Sequence, residues 1–141
     1  YLTYCGLYCG ACPSILIKEK GDGDEVLAKY CFDMEETHCG GCDFSPESKC
    51  EFAVCNREKG TICCAFCPEY PCQMIKNFSV DECAHHIDVI ENLARIREAG
   101  VDTWLEEQKL QWSCSKCGAR THWYQKKCEI CGHEWQAKYG E

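Results

Sequence analysis

Five Cys-x-x-Cys pairs punctuate this chain of 141 residues: Cys9/Cys12, Cys39/Cys42, Cys64/Cys67, Cys114/Cys117 and Cys128/Cys131. One tight turn can aim two thiolates three positions apart at a single tetrahedral ion, and two such turns close a site. Over about residues 1–78, knuckles this frequent leave room only for short helices and turns between them. The pattern predicts a small fold stabilised by bound metal, because short segments bury too little surface to fold unaided.

Seventeen cysteines exceed the ~8–10% of residues that marks a special scaffold, for which secreted disulfides are the usual explanation. Three features argue instead for thiolate ligands in a reducing, cytoplasmic setting. The count is odd, the cysteines fall in knuckle spacing, and residues 1–12 are mixed and thiol-rich rather than an apolar signal-like run. Residues 1–111 hold 10 basic and 20 acidic side chains, whereas residues 112–141 hold 5 and 3. So acidic a larger part is poorly suited to a phosphate backbone. No stretch approaches the ~20 apolar residues of a membrane-spanning helix, so no membrane partner is expected.

The predicted organisation is a mainly α cysteine-rich domain over residues 1–111 followed by a small β zinc ribbon over 112–141. Apolar residues at 3-and-4 spacing predict a helix over 24–36, and a weaker pattern suggests another over 46–57. Ser79-Val80-Asp81-Glu82 has the form of a capping box and predicts a helix from there to a glycine stop at Gly100. A second helix is expected over 102–111, packed beside the first because the connection is short.

Cys114-Ser-Lys-Cys117-Gly and Cys128-Glu-Ile-Cys131-Gly form the strongest local signal. Each glycine follows the second cysteine, where a knuckle needs positive φ and room for amide-to-sulfur hydrogen bonds. Ten residues separate them, with Thr121-His122-Trp123-Tyr124 expected as a strand. The whole resembles a zinc ribbon. Trp112, Trp123, Tyr124 and Trp135 read as its core rather than as a base-stacking platform, since a nucleic-acid footprint would be more basic. His122 and His133 flank the knuckles, but four thiolates already close the site.

Upstream, Cys5, Cys9, Cys12, Cys39, Cys42, Cys50, Cys55, Cys64, Cys67 and Cys72 supply ten further thiols. The expected pairing puts Cys9, Cys12, Cys39 and Cys42 in one site, and Cys64 and Cys67 with Cys50, Cys55 or Cys72 in another. About three zinc ions per chain follow, at four thiolates each. An iron-sulfur cluster is the alternative for this part, because thiolate ligands alone do not separate the two metals. Cys5-x3-Cys9-x2-Cys12 also matches the triad of radical enzymes that use S-adenosylmethionine, but about a hundred residues cannot supply their barrel.

These motifs carry a resemblance. Cys5-Gly-Leu-Tyr-Cys9-Gly-Ala-Cys12-Pro13, Cys39-Gly-Gly-Cys42, Cys50 and Cys55 followed by Glu58-Lys59-Gly60, and Cys64-x-x-Cys67-Pro-Glu-Tyr-Pro-Cys72 resemble a prokaryotic cysteine-rich domain-of-unknown-function family. The likeness spans about residues 1–78 and implies those ten cysteines as the family's own. Members are presumed to bind zinc, and some carry a C-terminal ribbon. The resemblance brings no activity with it.

Cys31, Cys63 and Cys83 stand outside that pattern and are expected as small buried hydrophobes, although Cys63 could replace its neighbour Cys64 as a ligand. His85 and His86 point about 100° apart on a helix and are expected as a surface pair. No phosphate loop, hydrolase elbow or catalytic triad is present. The sequence therefore favours a non-enzymatic metal protein that meets a protein partner. Alkyl transfer or redox chemistry at a thiolate, and nucleic-acid binding through the C-terminal segment, are the rival readings.

Overall fold

A computed structural model describes residues 2–20, 42 and 49–139. Among the described residues the regular elements are five α-helices, α1 (Pro13–Lys20), α2 (Glu51–Lys59), α3 (Gln73–Phe78), α4 (Val89–Ala99) and α5 (Val101–Gln111). Among the same residues, 3-10 turns lie before α1 at Cys9–Ala11 and between helices at Cys64–Phe66 and Ala84–Asp88. The helix expected over 24–36, together with Cys31 and Cys39, lies outside the described residues.

Helices α4 and α5 form the centre. Val89, Leu93 and Ile96 recur at helical spacing and are fully buried, and Trp104 of α5 is buried with them. Gly100 (φ 89°) separates the two helices, so they pack as neighbours, as the short connection predicted. Arg95 clamps them from outside, its guanidinium donating to both carboxylate oxygens of Glu107 at 3.0 and 3.2 Å. The weaker pattern over 46–57 corresponds to α2, which starts at Glu51 and runs on to Lys59. Its acidic first turn and basic last turn suit the helix dipole, and Gly60 (φ 68°) ends it in the left-handed conformation.

The capping box does not start a helix. Ser79 closes α3, its hydroxyl donating back to the Lys76 carbonyl at 2.8 Å. Asp81 accepts from the Cys83 amide and pairs with His86, so the chain turns through 79–83, and α4 begins only at Val89. A local capping pattern lost here to side-chain partners a few residues on.

The predicted β zinc ribbon is also corrected. Among the described residues there are no β-strands, only isolated bridges at Ser113–Arg120 and Lys127–Glu134. Each bridge sits at the base of one knuckle, which folds on itself through Cys114 N–H to Ala119 O (2.7 Å) and Cys128 N–H to His133 O (2.8 Å). Thr121 N–H to Trp112 O is the second bond of the first bridge, and beyond it the Trp123 amide leaves the segment to donate to Ala11 O. No ladder is left to build, and the segment packs onto the helices. Trp112, Trp123 and Tyr139 share one apolar core with Leu7, Ile15, Phe52, Ile75 and Leu93. Arg120 adds a polar tie, donating to Gly10 O at 2.6 Å and to Glu19 at 2.7 Å.

Candidate metal centre

Cys114, Cys117, Cys128 and Cys131 come together as predicted, with all four sulfurs within 4.8 Å of one another. Cys114 and Cys131 lie 3.7 Å apart, and Cys117 and Cys128 3.5 Å. A tetrahedron with metal–sulfur bonds of ~2.3 Å has edges of about 3.8 Å. The sulfurs thus already stand near the separations one ion requires. The glycines after each second cysteine do what the sequence suggested: Gly118 (φ 74°) and Gly132 (φ 73°) turn back to donate to Cys114 O and Cys128 O at 2.8 and 2.9 Å. That left-handed conformation costs an L residue roughly 1–2 kcal/mol.

The electrostatics suit a cation. The amides of Cys117 and Lys116 hold the Cys114 thiol down at about 6, and those of Cys131 and Ile130 lower Cys128. The Ala119 amide draws Cys117 the same way, but the neighbouring sulfurs, Cys128 first, push it up to about 12. Four thiolates this close repel one another until a cation neutralises them. Cys114 and Cys128 are buried, whereas Cys117 and Cys131 face solvent.

The N-terminal thiols are arranged differently. Cys9-Gly-Ala-Cys12 and Cys64-Ala-Phe-Cys67 each form a 3-10 turn, with the second cysteine's amide donating to the first's carbonyl at 3.1 and 3.2 Å. Pro13 follows the first turn and opens α1, where its missing N–H costs nothing. Cys55, Cys64, Cys67 and Cys72 line one small cleft with Asn56, Lys59 and Tyr70, so the expected second group gathers around Cys55 and Cys72. Asn56 donates to Cys64 Sγ at 3.1 Å and Lys59 to Cys67 Sγ at 3.6 Å. Burial pushes the Cys64 thiol up to about 11 against the pull of Asn56, with Cys72, Cys63 and Cys55 adding to the rise.

Cys50 occupies the N-cap position of α2 and is half-buried. Cys9 and Cys12 are buried, and Cys5 and Cys42 are half-buried. Cys64 N–H donates to Tyr4 O at 2.8 Å, which ties the second turn to the segment carrying Cys5. The expected grouping of Cys9, Cys12, Cys39 and Cys42 involves Cys39, outside the described residues. No disulfide joins one described cysteine to another.

Two expectations outside the ligand set are corrected. Cys63 is fully buried as expected, but Cys83 is exposed. His85 and His86 are both buried rather than a surface pair. His85 stacks on Trp123 (centroids 4.1 Å apart) with Nδ1 2.6 Å from the Tyr124 hydroxyl, and His86 stacks on Phe78 at 3.8 Å. Burial, then the neighbouring His86, drives the His85 imidazole down to about 3. Burial lowers His86 too, although Asp81 opposes it.

A second group of metal-ligating atoms went unread in the sequence. Asp81, Cys83 and His86 bring one carboxylate oxygen, one sulfur and one ring nitrogen within 4.8 Å of each other. Its signal is the spacing Asp-x-Cys-x-x-His, hidden because 79–99 was read as continuous helix.

Comparison with known proteins places this geometry in context. Residues 1–77 match the family model described as a protein of unknown function (DUF3795). No curated protein and no solved structure matches the chain. Among the described residues, no helix is long and apolar enough to cross a membrane.

Proposed function

The chain belongs to the DUF3795 family, and on that premise we propose that it is a multi-zinc protein that serves as a protein-interaction or regulatory module in the cytoplasm. The observation that carries the reading is the set of four sulfurs at Cys114, Cys117, Cys128 and Cys131, with separations of 3.5 and 3.7 Å. Sulfurs that close suit a single ion, whereas thiolates on different irons of a cluster must stand further apart. Zinc fits because structural zinc takes four thiolates and has no redox chemistry to protect. Its role at this site is to bind and hold the knuckles, all four positions being filled by sulfur.

The cleft of Cys55, Cys64, Cys67 and Cys72 would hold a second ion, and Cys9, Cys12, Cys39 and Cys42 a third. Two observations favour a protein partner over nucleic acid. Residues 1–111 are strongly acidic, and Trp112 and Trp123 are buried in the shared core, so neither offers a face to a base.

Elemental analysis of protein purified under anaerobic conditions without added metal tests the reading. About three zinc ions per chain are expected, at four thiolates each. Iron with acid-labile sulfide, or a chain free of metal, would overturn it.

A further inference from the structure

We propose that Asp81, Cys83 and His86 form an additional, open binding site for a divalent transition-metal ion, separate from the family's cysteines and outside the residues that the family model matches. Their ligand atoms lie within 4.8 Å of one another, and the set has the mixed oxygen, sulfur and nitrogen character that late first-row ions of the zinc type accept. Three protein donors leave a fourth tetrahedral position for water or an incoming ligand, which is the arrangement of an exchangeable or reactive ion rather than a purely structural one.

The surroundings hold the donors in place. His86 is buried and stacked on Phe78 at 3.8 Å, with the edge of His85 against it at 4.5 Å, so its ring has little freedom to swing away. Its Nδ1 lies 2.8 Å from each carboxylate oxygen of Asp81. Asp81 is itself fixed by accepting from the Cys83 amide at 2.9 Å, and the His86 amide donates to Cys83 O at 2.9 Å. The chain from 81 to 86 is thus a closed turn that carries all three donors on one side of the molecule. Cys83 and Asp81 are open to solvent, giving an ion a way in. Binding would replace the thiol proton, which passes to water, while the neutral imidazole keeps its one N–H, carried on Nε2 where Nδ1 is the ligand; no oxidant or reductant is needed.

The test uses the full, reduced chain with its thiolate sites first loaded with zinc and loosely held metal removed by a weak chelator. Cobalt(II) is then titrated in, and its visible absorption recorded. Wild type is expected to take up one further cobalt ion and to show thiolate-to-cobalt charge transfer. Cys83→Ser should abolish that charge transfer while keeping the zinc content unchanged, and Asp81→Asn should weaken cobalt binding on the order of 10-fold or more. His86 is buried and its variants risk misfolding, so the exposed Cys83 decides. No uptake by wild type, or an identical spectrum from Cys83→Ser, which would place the cobalt in the other thiolate sites, overturns the proposal.

Discussion

Replacing Gly6 with alanine should cost far more than an ordinary glycine-to-alanine change, because two penalties fall on one atom. Gly6 adopts φ +87°, where an L residue is disfavoured by roughly 1–2 kcal/mol. An added Cβ would also lie 2.7 Å from Leu93 Cγ and 3.2 Å from Val89 O. Leu93 is fully buried in α4 and has nowhere to move, so overpacking adds about 1–3 kcal/mol. The expected total is about 2–5 kcal/mol. Gly60→Ala is the internal control: its φ is +68° but no atom lies within 4 Å of the new Cβ, so only the first penalty applies. Both variants are to be compared with wild type by urea unfolding of the reduced, metal-loaded chain, followed by tryptophan fluorescence. Equal destabilisation by the two, within ~0.5 kcal/mol, would refute the claim that the Cys5–Cys9 segment rests directly on α4. The same close approach lets Gly6 accept from Asn92 at 3.0 Å and donate to the Thr3 hydroxyl at 3.1 Å. Gly6→Ala should accordingly loosen the N-terminal thiols while sparing those at 114–131.

Asn56→Ala should destabilise the chain by about 1–3 kcal/mol, since the buried amide donates to Cys64 Sγ and Phe52 O and accepts from the Thr61 hydroxyl; unfolding indistinguishable from wild type would exclude that role. Tyr139 donates to Asp88 at 2.6 Å, and burial followed by that bond raises its phenol above the ordinary value. A folded-state value above the unfolded one means that the contribution is complete below about pH 10 and is lost as pH rises beyond it. Tyr139→Phe should be about 1 kcal/mol less stable near neutrality yet lose less on going alkaline; parallel stability curves for the two proteins would sink the argument.

What could be read from the sequence was local. The convergence of Cys114, Cys117, Cys128 and Cys131 was legible because a knuckle's glycine, its positive φ and its amide-to-sulfur bonds all fall within five residues. The α5 helix was legible for the same reason, an apolar face after a glycine stop. Illegible were the choices decided by distant partners. Thr121 to Tyr124 are expected as a strand, but the Trp123 amide is claimed by Ala11 and its ring by His85. Ser79 and Glu82 spell a capping box, but Ser79 turns back to Lys76 and Asp81 is taken by His86. The histidine pair looked exposed because the aromatic rings that cover it come from Phe78 and Trp123, one of them nearly forty residues away. The ten N-terminal thiols were identifiable as a set, but their spacing does not say which turn meets which; that the cleft of Cys64 and Cys67 takes in Cys55 and Cys72 depends on how α2 and α3 pack.

The most direct test of a metal held by Cys114, Cys117, Cys128 and Cys131 is the metal content of the Cys117→Ser, Cys131→Ser double variant beside wild type, both purified anaerobically and measured by elemental analysis. These two ligands are exposed, so their replacement removes sulfur without opening the core. One ion fewer per chain is the expected result, and an unchanged count would contradict it.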